Sequence, residues 1–149
     1  MTRFVIGPDV ALYLARGGAE IADDHQLVAP TLLRSQVLSL LYQSVRHGEL
    51  TRADADRQLD YLRSLRIRLL GDRVLQRAAW RLAEQLGWGD TFDAEYVALA
   101  RLQADAFVTL DAGLAKAMQG LVTIAEPQAL LVRAADPGDG TVPSHPRGG

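Results

Sequence analysis

The chain has 149 residues, 48% of them hydrophobic, 23% charged, and a net charge of −2. That is enough for one domain with a real core, too short for a second domain of ordinary size, and too apolar and too evenly charged for a disordered chain. With no cysteine, disulfides, zinc fingers, iron–sulfur clusters and thiol catalysis are excluded together; no apolar run approaches the roughly 18–20 residues of a membrane helix. The opening MTRFVIGPDV is broken too soon by Gly7-Pro8 to read as a signal peptide, and the expected location is cytoplasmic.

In chain order, Arg3–Ile6 reads as a short apolar strand. Gly7 breaks it, and Pro8 suits the first turn of a helix to about Arg16. Leu27–Pro30 leads into a helix from about Thr31 to His47, with Leu33, Val37, Leu40, Leu41 and Ser44 at helical spacing. Thr51 caps a third helix, with Asp54 in a capping-box position and Leu59, Leu62 and Leu65 on its inner side. Ile67–Leu70 is a strand. Asp72 opens a helix that Gly87 closes, and Asp90 opens another to about Gln103. Ala106–Leu110 is an almost wholly apolar strand of the kind buried in a parallel sheet. Asp111–Met118 is a short helix, Leu121–Ile124 a last strand, and Pro127 begins a last helix. The final stretch, residues 134–149, holds three of the six prolines and four of the 13 glycines, and is expected to be a disordered tail behind a folded domain of residues 1–133.

Strands alternating with helices predict an α/β fold with a mostly parallel sheet of four to five short strands covered on both faces. Ligands in such sheets bind beyond the carboxyl ends of the strands. The residues there are Gly7-Pro8-Asp9, Gly71-Asp72 and Asp111, together with the start of the Asp90 helix. Each carboxylate alone has an ordinary explanation. Asp111 suits a helix N-cap, and Asp9, Asp90 and Asp93 suit helix first turns. Three carboxylates at one end of one sheet, however, repel one another unless a cation sits among them. Without cysteine, the natural ion is hard and oxygen-ligated, Mg²⁺ or Mn²⁺, whose chemistry suits phosphodiester hydrolysis.

The segments DAEYVALA (Asp93–Ala100) and FVTLD (Phe107–Asp111) resemble the second half of a PIN-domain ribonuclease of the VapC toxin type. The resemblance places Asp93 and Asp111, 18 residues apart, at two acidic metal-binding positions, and Thr109 at a small-hydroxyl position beside the substrate. It extends more weakly over the rest of the folded part. Two acidic positions of the family are altered: Gly7 stands where an Asp follows the first strand, with Asp9 two residues later, and Gln36 stands where a Glu lies on the second helix. The resemblance implies a PIN-like three-layer α/β/α fold and an Mg²⁺- or Mn²⁺-dependent endoribonuclease. In it Asp9, Asp93 and Asp111 hold the ion with help from Asp90, and Gln36 and Thr109 orient ligands or water. It also implies an RNA substrate, a cognate antitoxin bound in a groove of the early helices, and a homodimer. The alternative is a PIN-fold module that binds a protein or RNA without cutting it.

The arginines Arg57, Arg63, Arg66, Arg68, Arg73, Arg77 and Arg81 form a dense run. Because Asp54, Asp56, Asp60, Asp72 and Glu84 are interleaved, a solvated helix face is the favoured reading over an RNA-backbone surface. Trp80 and Trp88 are expected in core or interface packing. Catalysis by His25, His47 or His145 is not expected.

Overall fold

A computed structural model describes residues 1–132; the expected tail at 134–149 lies outside the described residues. Five strands form one sheet: β1 (Thr2–Ile6), β2 (His25–Pro30), β3 (Ile67–Leu70), β4 (Ala106–Val108) and β5 (Ile124–Ala125). Their order is β3-β2-β1-β4-β5, and every pairing is parallel. The helices are α1 (Pro8–Gly17), α2 (Leu32–Arg46), α3 (Arg52–Ser64), α4 (Arg73–Leu86), α5 (Phe92–Gln103) and α6 (Ala112–Ala117), followed by a 3₁₀ turn at Pro127–Leu130. The helices α1, α2 and α3 pack on one another. The helix α4 packs on α5, which lies along β1, β2 and β4. The fold is the expected three-layer, PIN-like α/β/α arrangement.

Three elements differ from the sequence reading. β4 ends at Val108 rather than at the expected Leu110, because Thr109 and Leu110 leave the strand to hydrogen-bond Asp9. His25–Pro30 is a full strand rather than a lead into α2, because Leu27, Val28, Ala29 and Pro30 are buried between β1 and β3. Pro30 is tolerated at the strand end, where Thr31 N–H takes the Leu70 carbonyl instead. The last strand is Ile124–Ala125, since Leu121 and Val122 are still turning out of α6.

The core is built on β1 and β4. Val5, Ile6 and Val108 are fully buried, and Phe107 nearly so. Each such side chain contributes about 1.5–3 kcal/mol relative to exposure. Ala94, Tyr96, Val97, Ala98, Leu99 and Ala100 are all buried in α5. A helix apolar on nearly every side must be wrapped by protein, and its alanines let the sheet and α4 approach closely.

The inner side of α3 is carried by Ala55 and Gln58, the most buried residues there, while Leu59, Leu62 and Leu65 are half-buried. Thr51 caps this helix as expected, its side chain accepting the Asp54 N–H at 3.0 Å. Trp88 packs partly against the core, but Trp80 is 65% exposed, so it does not belong to the core.

Candidate active site

The chain proceeds outward from β1 to β2 to β3, then returns to add β4 on the other side of β1. The carboxyl ends of β1 and β4 are therefore adjacent, with Ile6 opposite Val108, and the crossovers leave them in opposite directions. That is a topological switch point, where open α/β sheets form a crevice. A cavity of about 430 Å³ lies there, lined among others by Gly7, Asp9, Asp93, Tyr96, Thr109 and Asp111. A second cavity, about 490 Å³, opens at the opposite end of the sheet, by the amino ends of β2 and β3, between Ala19–His25 and Tyr61–Arg66. The switch-point cavity is the one that gathers the expected acids.

Each of its three carboxylates comes from the start of a helix. Asp9 is in the first turn of α1 behind Pro8. Asp93 is in the first turn of α5. Asp111 is the N-cap of α6, its Oδ1 accepting the Leu114 N–H at 3.0 Å. The positive ends of helix dipoles offset part of the anionic repulsion. The capping explanation for Asp111 is thus realised, and leaves its Oδ2 without a hydrogen bond among the described residues.

Asp9 reaches the site by its side chain alone. A Cβ on Gly7 would stand 3.0 Å from Asp9 Oδ1, so the carboxylate at position 9 fills the space a side chain at position 7 would enter. Gly7 has φ −89° and ψ 176°, ordinary extended backbone; it is the missing side chain, not an unusual dihedral, that matters. Asp9 Oδ1 accepts the Val10 N–H at 2.8 Å. Asp9 Oδ2 accepts Thr109 Oγ1–H at 3.1 Å and the Leu110 N–H at 2.8 Å. Thr109 Oγ1 in turn accepts the Asp111 N–H at 3.1 Å. Thr109 therefore ties the loops after β1 and β4 together.

Asp93 keeps access to solvent and accepts no hydrogen bond among the described residues. Its carboxyl is held above its ordinary range, first by desolvation and then by the negative charges of Asp90, Asp111 and Asp9. Asp90 does not line the cavity. Its Oδ1 accepts the Phe92 N–H at 3.1 Å, and the residue preceding α5 is Thr91 rather than Asp90. Asp72 is also absent from the cavity wall and caps α4 through the Leu75 N–H at 2.9 Å.

Gln36 stands behind the cavity. Its Oε1 accepts the Tyr96 hydroxyl at 2.6 Å, and Tyr96 lines the wall. Burial, then the nearby carboxylates Glu95, Asp93 and Asp9, raise the Tyr96 hydroxyl above its usual range, so it stays protonated and donates. Tyr96 and the Leu110 N–H were not singled out in the sequence. A tyrosine on a buried helix face gives no sign of its partner, and a backbone donor gives none at all.

The donor set fits a hard divalent cation in kind: three carboxylates on one wall, two still offering unbonded oxygens. Among the described residues, though, no three acidic or histidine side chains converge as a preformed ion site.

No protein-family model matches the chain, and no curated protein does. Solved structures do resemble it. PAE2754 from Pyrobaculum aerophilum superimposes with a TM-score of 0.64 at 20% identity, over 86% of this chain and 92% of that one. A chain of VapBC2 from Rickettsia felis, solved bound to a DNA fragment from their promoter, gives 0.61 at 12% identity over 83% and 98%. A chain of VapBC-1 from nontypeable Haemophilus influenzae gives 0.59 at 11% identity over 85% and 98%. At such identities the likeness establishes a shared fold, over 83–86% of this chain and 92–98% of the others.

Proposed function

We propose that this chain is a VapC-type PIN-domain endoribonuclease, the toxin of a toxin–antitoxin pair, using Mg²⁺ or Mn²⁺ to hydrolyse RNA phosphodiester bonds. The observation that carries the reading is the placement of Asp9, Asp93 and Asp111 on one cavity at the switch point. The likeness to chains of two VapBC structures supports it and suggests an antitoxin as partner. A homodimer is part of the same reading. No described helix is long and apolar enough to cross a membrane.

In this reading Asp93 and Asp111 hold the ion, and Asp9 completes the set from a position that Gly7 leaves open. The bound ion would supply Lewis acidity toward a phosphodiester oxygen and acidify water. Thr109 positions Asp9 and couples it to the Asp111 backbone. Tyr96 holds Gln36 Oε1, so that Gln36 acts through orientation rather than charge. Asp90 adds negative charge near Asp93 without lining the cavity.

One observation favours a second reading, a PIN-fold module that binds without cutting. Gln36 Oε1 and both Asp9 oxygens already accept hydrogen bonds, and Gln36 brings no charge. Calorimetric titration with Mn²⁺ at neutral pH, alongside RNA cleavage, separates the two. The first reading expects wild-type binding and cleavage, both lost in Asp93→Asn/Asp111→Asn. Absence of Mn²⁺ binding by the folded wild type selects the second.

A further inference from the structure

The arginine run divides sharply in three dimensions. On α3 the arginines are neutralised within their own helix: Arg52 pairs with Asp56 at 3.1 Å, Arg63 with Asp60 at 2.6 Å, and Arg57 with Asp54. On α4 they are not. Arg73, Arg77 and Arg81 are exposed, and none makes an ion pair among the described residues. Their spacing, i, i+4 and i+8, stacks them on one helix face about 6 Å apart. Like charges at that spacing cost the helix a few tenths of a kcal/mol per pair, and no ion pair among the described residues offsets the cost. Trp80 borders the same face, one turn from Arg77, and is 65% exposed. Glu84, one turn further, is the acid on this face and pairs with none of them.

We propose that this face of α4, formed by Arg73, Arg77, Trp80 and Arg81, binds single-stranded RNA outside the cavity, the arginines taking phosphates and the indole stacking on a base. The proposal rests on the reading of the chain as an RNA-directed protein. A row of uncompensated arginines beside an open aromatic surface is the combination that single-stranded nucleic acid requires. A two-fold self-contact through this face is disfavoured, since it brings the arginine row against its own copy. An acidic peptide would satisfy the arginines but would give the indole no base to stack on.

The test measures binding of a short labelled oligouridylate by fluorescence anisotropy in EDTA, so that metal-dependent cleavage plays no part, across a salt titration. Arg77→Gln/Arg81→Gln is expected to flatten the log–log salt slope by about 1.4, at about 0.7 per phosphate contact. Arg77→Lys/Arg81→Lys should retain the slope. Trp80→Ala, exposed enough to leave the fold intact, should weaken binding about tenfold and abolish the RNA-induced quenching of indole fluorescence. Equal slopes for wild type and the glutamine variant would overturn the proposal. So would Trp80→Ala turning a dimer into a monomer in sedimentation while RNA binding is unchanged, or polyglutamate competing as well as RNA. Failure of the nuclease reading shows in cleavage and Mn²⁺ titration of the wild type, and failure of this one in the salt slope measured in EDTA.

Discussion

Gly7→Ala tests the central geometric relation of the site. The added Cβ would stand 3.0 Å from Asp9 Oδ1, whereas carbon–oxygen contacts settle at about 3.3–3.6 Å. The carboxylate must retreat by a few tenths of an ångström, and it is held by three donors, Val10 N–H, Thr109 Oγ1–H and Leu110 N–H, at 2.8, 3.1 and 2.8 Å. Losing one hydrogen bond to a charged group costs about 1.5–3 kcal/mol. Alanine is also a poorer N-cap than glycine, by roughly 0.5–1 kcal/mol. Against this, Gly→Ala at an allowed φ returns about 0.4–1 kcal/mol by restricting the unfolded chain. The expected net loss is about 1–3.5 kcal/mol, read by urea unfolding of the metal-free protein. In an Asp9→Ala background the contact no longer exists, and Gly7→Ala should cost about 0.5 kcal/mol or less. An equal cost in both backgrounds would refute the idea that Gly7 leaves room for Asp9.

Three further outcomes follow from the site. Because the Asp93 carboxyl is raised in the folded state by desolvation and by Asp90, Asp111 and Asp9, the folded metal-free protein holds more protons than the unfolded chain between the ordinary carboxylate pKa and the raised one. Stability contributed by this group falls as pH rises through that window; Asp93→Asn should therefore be more stable than wild type at neutral pH, with the difference shrinking on acidification in thermal melts. Asp111→Asn keeps a good N-cap and should unfold like wild type while losing Mn²⁺ binding, whereas Asp111→Ala should also lose about 1 kcal/mol; calorimetry and unfolding together check both. Gln36→Glu should change Mn²⁺ affinity by less than about threefold if Asp9 already completes the donor set, while a gain of about tenfold or more would favour the non-cleaving reading.

The three acids are brought together by ordinary local preferences used at a special place. Pro8 starts α1 just past β1, Asp111 caps α6 just past β4, and the alanine-rich α5 begins nearby with Asp93. Each has a structural reason to be where it is. Only the adjacency of β1 and β4, with Ile6 beside Val108, makes their carboxylates neighbours; the Asp93 carboxyl there is raised first by desolvation and then by the charges of Asp90, Asp111 and Asp9.

Much of this was legible in the one-dimensional pattern, because it depends on short-range rules. Pro8 at a helix start, Thr51 and Asp72 as caps, Gly87 as a helix end, the apolar strand 67–70 and the start of the strand expected over 106–110 all follow from spacing and backbone chemistry within a few residues. The α/β class follows from their alternation, and the candidate acids from their places beside strand ends. What needed the tertiary structure is whatever depends on partners far away in sequence. His25–Pro30 becomes a strand because β1 and β3 flank it. Asp9 enters the site because Thr109 and Leu110, 100 and 101 residues later, hold it in the space Gly7 leaves. Gln36 is tied to Tyr96 across 60 residues. The arginines of α3 and α4 look alike in sequence; ion pairing within α3 and its absence on α4 tell them apart. Local backbone preferences act through neighbours in the chain, whereas hydrogen bonds, desolvation and charge act through space, and only the folded chain sets those distances.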